Sequence, residues 1–305
     1  MPKSIRQLGW LLLGAMIFLS ACSSRSLSSG EVVQRFSTAL ADLHSFHYDA
    51  SLSLSGGIST VLGQKLSSAQ FRLTGDVMSP DITNPRVSLQ ASMQGTASQG
   101  DLTLAGQLIG LPDYTYFKLT DLNFPTLLPV SLGADSRWYR VKRPAPDASG
   151  NRLGASVGQQ LTDEQVLAIH NMIASTTIFE VSQTFPDETV YGQRAYRYQA
   201  KLRPDNMRYL AAQVSAITGT STGDLSLLDQ LNNYTADIWI NKRNFQLARI
   251  KIEDIYLANS VPVSFSLDLG LSRQNEKISI AAPNVAEELD SQNLLDQLGH
   301  WQPAM

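Results

Sequence analysis

The chain's 305 residues hold 24 lysines and arginines against 27 aspartates and glutamates, for a net charge of −3. That balance gives nucleic acid no basic surface and anionic lipid no polybasic grip. A single cysteine, Cys22, excludes an internal disulfide.

Residues 1–21 read as an export signal. Lys3 and Arg6 form the basic start, Leu8 to Leu19 an apolar stretch too short to cross a bilayer core of ~30 Å, and Leu19-Ser20-Ala21-Cys22 a small-residue cleavage site. The tetrapeptide resembles the lipobox of bacterial lipoproteins, which implies that Cys22 receives a diacylglyceryl group and becomes the first mature residue. Two or three acyl chains hold a protein stably to a membrane where one holds it only marginally. Residues 22–30 follow as a Ser-rich tether.

A first helix is expected from about Glu31 to Leu43, with Val33, Phe36, Leu40 and Leu43 on one stripe behind serine caps at Ser28 and Ser29. The stretch FHYDASLSLS, Phe46 to Ser55, then alternates apolar with polar residues, the period of a strand with one dry face and one wet face. The same alternation recurs through Phe71–Val77, Val87–Met93 and Leu102–Leu108. Tyr114–Thr120 and Arg137–Arg143 are weaker strand candidates. Between them lies the loop Pro125-Thr-Leu-Leu-Pro-Val-Ser-Leu132. Its Leu127, Leu128 and Val130 follow neither a strand nor a helix period, so they are expected to border the mouth of a cavity.

Thr162-Asp-Glu-Gln165 has capping-box spacing and opens a second helix with Val166, Ile169 and Ile173 inward. Strands at about Ile178–Phe185 and Ala195–Arg203 follow. Pro204 then starts a third helix whose Met207, Leu210, Ala211, Val214 and Ile217 share a face, with a further turn or two at Leu225–Leu231. Strands at Tyr234–Ile240, Phe245–Ile255 and Pro262–Ser272 complete a domain spanning 31–283. Residues 284–305 are expected to be a polar, helical tail.

These elements predict an α+β fold: a strongly curved, mostly antiparallel sheet of about eleven strands, a half-barrel with helices on its concave side. At ~4.8 Å per strand such a sheet is ~50 Å wide, and about five helices of ~10 Å would be needed to cover it. Three substantial helices are available, so an apolar cavity is expected between sheet and helices. Its predicted lining is Phe36, Tyr48, Leu52, Phe71, Leu89, Leu104, Ile169, Leu210, Phe265 and Leu267.

The segments GQRAYRYQAKL from Gly192 and ADIWINKRNFQLARIKIE from Ala236, together with this order of elements, resemble the LppX/LprG lipoprotein family. More distantly they resemble the LolA/LolB lipoprotein carriers and the sensor RseB. The resemblance implies a half-barrel that encloses lipids or acylated molecules. It also implies an extracytoplasmic protein lipid-anchored in the cell envelope, or a sensor or scaffold that uses the same concavity for an envelope protein partner.

No catalytic residue, cofactor or metal site is expected. The chain lacks a G-x-S-x-G elbow, a P-loop and an H-E-x-x-H motif. His44-Ser-Phe-His47 straddles a helix end and a strand start and reads as surface imidazoles, and His170 as a histidine at a helix boundary.

Overall fold

The computed structural model describes residues 27–59, 65–79, 85–97, 100–123, 136–143, 161–218, 234–258 and 262–289. Three helices lie in these segments: α1 (Ser29–Ala41), α2 (Asp163–Ser175) and α3 (Pro204–Thr218). The strands are β1 (Ser45–Ser59), β2 (Lys65–Met78), β3 (Arg86–Ala97), β4 (Gly100–Gly110), β5 (Tyr114–Asn123) and β6 (Tyr139–Lys142) in the first half. β7 (Phe179–Val190), β8 (Gln193–Leu202), β9 (Thr235–Asn241), β10 (Leu247–Ala258), β11 (Pro262–Ser272) and β12 (Glu287–Glu288) follow.

All twelve strands form one curved, open sheet in the order β12-β6-β5-β4-β3-β2-β1-β11-β10-β9-β8-β7. Every pairing is antiparallel except that of β12 with β6. The α+β half-barrel expected from the sequence is present, with twelve strands rather than eleven. The extra strand lies where a helical tail was predicted, because Glu287 and Glu288 continue the β6 edge and place their carboxylates by Arg137 and Arg140. Two ion pairs along an extended run thus replace the expected helical start, and the tail from residue 290 lies outside the described residues. The Leu225–Leu231 turn and the signal, Cys22 and most of the tether also lie outside them.

The predicted capping box at Thr162 forms, and of the two serine caps expected for α1 Ser28 is the cap and makes a capping box with Glu31, while Ser29 is the first helical residue. Ser28 Oγ accepts from the Glu31 N–H at 3.3 Å while Glu31 accepts the Ser28 N–H at 2.8 Å. Thr162 and Gln165 do the same for α2 at 3.2 and 2.9 Å. Each box satisfies N–H groups that a helix start leaves without partners. Pro204 opens α3 as expected, and the half-buried Met207, Leu210, Val214 and Ile217 lie along one side of it.

The helices are tied to one another by polar contacts. Ser37 of α1 donates to the Thr176 carbonyl at 3.2 Å, His170 of α2 meets Asp42 at 2.8 Å, and Gln165 donates to the Ile217 carbonyl of α3 at 3.1 Å. The main core lies beneath α1. There Val32, Val33 and Phe36 pack with Phe179, Tyr198, Ala200, Ala236, Ile238, Ile240 and Ile252. Burial pushes the Tyr198 hydroxyl up to about 12.

Candidate functional site: an uncharged inner face

The pairing registers align the dry positions of neighbouring strands. Leu52 stands opposite Phe71 on β2 and Leu267 on β11, Phe71 opposite Met93, and Met93 opposite Leu104. The next row inward runs Leu269, Ala50, Leu73, Ala91, Gly106; the one beyond runs Leu271, Tyr48, Gly75, Leu89, Leu108. Across β1, β2, β3, β4 and β11 this face carries Leu, Phe, Val, Met, Ala, Gly and one Tyr in the rows aligned above Leu54 and Phe265, and no charge. Arg143 approaches only at the margin, where its guanidinium donates to Thr115 Oγ1 at 3.3 Å.

Seven predicted cavity residues, Tyr48, Leu52, Phe71, Leu89, Leu104, Phe265 and Leu267, therefore share one face. Phe265 and Leu267 pack beside the core that contains Phe36. Ile169 is buried on α2, and Leu210 is half-buried on α3. Over β2 to β4 most inward side chains are only partly buried; Leu73 is 37% exposed. Only Leu66, Ala69, Ala97 and Leu102 close into a small cluster at one end, with Leu54, Phe71 and Met93 against it.

Tyr48 gives this face its one polar atom near the centre. Its ring crosses Gly75 and its hydroxyl donates to the Ser88 carbonyl at 3.3 Å. A side chain at Gly75 would meet that carbonyl oxygen at 1.9 Å and the Tyr48 hydroxyl at 2.9 Å, so only glycine fits. Burial, with Asp76 nearby, raises the Tyr48 pKa and keeps the hydroxyl neutral.

A separate cleft of about 560 Å³ opens between α1, the end of α2 and β7, lined by Val33, Gln34, Ser37, Ala174, Val181 and Arg203 among others. None of the predicted lining residues borders it. The loop with Leu127, Leu128 and Val130, between β5 and β6 in sequence, lies outside the described residues.

The outer face holds features that the sequence reading did not identify. Arg197 stacks between Phe185 and Trp239, with 4.8 and 5.3 Å to the ring centres, and Arg249 lies on Trp239 at 5.1 Å. The Trp239 indole donates to Glu188 at 2.9 Å, Arg197 pairs with Asp237 at 2.7 Å, and Arg249 pairs with Asp268. The indole hydrogen bond, then Arg197, holds the Glu188 carboxyl below its usual value, and Arg249 does the same for Asp268. The β7–β8 turn reaches this face too. Tyr191 and Gly192 both have positive φ, 49° and 76°, as a two-residue hairpin turn of the primed type requires. The Tyr191 hydroxyl lies where a side chain on Gly270 of β11 would stand, 1.8 Å from that position. Arginines at Arg197 and Arg249, on wet positions flanking Trp239, were the available signal; the register was needed to see that they stack.

Among the described residues no group of three or more His, Cys, Asp and Glu side chains is placed to hold a metal. His47 meets Asp76 at 3.0 Å and Thr74 at 3.4 Å on the outer face, while His44 meets the Asp42 carbonyl at 3.2 Å. The two histidines have separate partners.

An open α+β half-barrel with an uncharged inner face is the class this geometry defines. Solved structures similar to the chain include LprF from Mycobacterium bovis, at 12% identity over 83% of this chain and 95% of that one, with a TM-score of 0.40. Mycobacterium tuberculosis lipoprotein LppX matches at 16% identity over 83% and 100%, with a TM-score of 0.34. An outer membrane lipoprotein-sorting protein domain from Vibrio parahaemolyticus matches at 12% identity over 83% and 95%, with a TM-score of 0.21. No family model and no curated protein sequence matches the chain. These are likenesses of fold at low identity, and no residue's role is transferred from them.

Proposed function

We propose that the protein is a membrane-anchored extracytoplasmic lipoprotein that binds or carries an acyl-chain ligand on its inner face. The observation that carries this reading is the continuous uncharged surface across β1 to β4 and β11, whose side chains over β2 to β4 are mostly only partly buried. An acyl chain asks a site for apolar area and exclusion of water, not for a charged clamp. At ~0.8 kcal/mol per buried CH₂, eight methylenes contribute ~6 kcal/mol before ordering costs. The Tyr48 hydroxyl is the one polar group near the centre, and it is already bonded to Ser88. The role needs no reaction step, and none is assigned.

Cys22 carries the anchor in this reading. Only a few residues separate it from the Ser28 cap of α1, so at ~3.5 Å per residue the domain stays within about 20 Å of the bilayer. Leu127, Leu128 and Val130 would border the entrance from the open side.

Native mass spectrometry of the full chain released from membranes in mild detergent tests the reading. A lipid mass above that of the anchored chain is expected, and Leu89→Asn with Leu104→Asn should weaken palmitic acid binding about tenfold while the melting temperature barely moves. A bare mass, with no palmitic acid bound by the wild type, would overturn it.

A further inference from the structure

The cleft of about 560 Å³ beside α1 plays no part in the acyl-chain reading. One wall is the flank of α1 that carries Gly30, Val33 and Gln34; the other is the start of β7, with Phe179, Glu180 and Val181. α1 reaches over this strand, since Phe36 packs on Phe179 with 5.2 Å between ring centres. The helix wall leaves room, because a side chain built on Gly30 would find nothing within 4 Å.

β7 ends the sheet, so one side of its backbone has no partner strand among the described residues. The Arg203 N–H donates to the Ile178 carbonyl at 2.9 Å, and the register continues through Phe179 with Leu202, Glu180 with Lys201 and Val181 with Ala200. In an antiparallel ladder, residues alternate between exchanging hydrogen bonds with the partner strand and turning their N–H and C=O away from it. Ile178 and Glu180 therefore bond to β8, while Phe179 and Val181 turn their N–H and C=O groups to the open side. The register shift after Val181, with Pro186 beyond it, limits the usable edge to this stretch.

A groove between a helix flank and an open sheet edge suits an extended peptide that adds as a further strand, held through its main chain and selected by alternate side chains. Glu180 and Arg203 also line the cleft. Neither closes an ion pair among the described residues, although Lys201 stands opposite Glu180 in register. We infer that the cleft binds a short extended segment of a partner protein, laid antiparallel on Phe179–Val181, with a basic residue opposite Glu180 and a small apolar residue on either side of it. The basic residue meets the Glu180 carboxylate across the strands. Its apolar neighbours share the side to which Phe179 and Val181 turn, where Val33 of α1 lies. The site shares no residue with the acyl-chain surface and stands or falls without it.

The test is fluorescence anisotropy of a fluorescein-labelled Thr-Val-Lys-Val-Thr amide with the full chain released from membranes in mild detergent. Saturable binding below about 1 mM is expected. Val181→Pro removes an N–H that faces the cleft and no bond to β8, so the melting temperature should hold while binding weakens by at least about tenfold. N-methylation of the two probe valines, whose N–H groups face β7, should weaken binding to the wild type by about the same factor, whereas N-methylation of the probe lysine, whose N–H faces away, should change it by less than about twofold. Exchange of that lysine for glutamate should weaken binding several-fold. No saturable binding, equal binding by a folded Val181→Pro chain, or equal effects of the two methylations would overturn the inference, and equal affinity of the glutamate probe would overturn the basic preference. The methylated probes decide the matter on the wild type alone if Val181→Pro does not fold.

Discussion

The β7–β11 half of the sheet carries the main core on its inner face and an arginine–tryptophan stack on its outer one, whereas over β2 to β4 most inner side chains are only partly buried. On the inner side α1 sets Val32, Val33 and Phe36 onto Ile238, Ile240 and Ile252; on the outer side the Arg197–Trp239–Arg249 stack and the curled Tyr191 turn lie over β8 to β11. The same alternation of apolar and polar residues runs through both halves. What differs is the company each face keeps, so equal sequence patterns carry unequal stability.

Replacing a fully covered residue gives the largest contrast. Ile240→Ala, at a position with 0% exposure, should cost 2 to 5 kcal/mol by chemical denaturation, through lost burial and the cavity left behind. A cost under about 1 kcal/mol would mean the covered half is not the stabilising one.

Glu188→Gln probes the outer stack. The Glu188 carboxyl is held below its ordinary value of 4.5, first by the Trp239 indole and then by Arg197. Its contribution is therefore complete above that value and disappears as pH falls through the lower folded one. The variant should melt a few degrees below wild type at pH 7, and the two curves should converge under acid. A gap that persists when both side chains are neutral would place the effect in packing rather than charge.

Leu73→Asn is the smallest expected change. Leu73 is 37% exposed, so stability should move by no more than about 0.5 kcal/mol in denaturant. A loss of 2 kcal/mol would show a hidden cover over this half.

Much of the local structure was legible because it is encoded locally. Ser28 with Glu31 and Thr162 with Gln165 announce helix starts within four residues, and the alternation from Phe46 announces β1. The common face of Leu52, Phe71, Leu104 and Leu267 was also within reach, since a period of two leaves each strand one choice of dry side. What escaped depends on register over long separations. Arg197, Trp239 and Arg249 come from three strands, and Tyr191 meets Gly270 from far along the chain. β12 escaped because two glutamates look like a solvated helix face until Arg137 and Arg140 stand beside them.

The ends of the sheet bear on how such molecules coexist. β7, the last strand on one side, contains Pro186, which has no N–H to offer, and its pairing shifts register between Val181 and Gln183 and again between Phe185 and Glu188. Among the described residues the opposite border is β12, two residues long. Neither offers another sheet a long straight row of donors and acceptors. Where many copies crowd together, sheets with clean borders would zip sideways into ribbons; the described borders of this one obstruct that pairing.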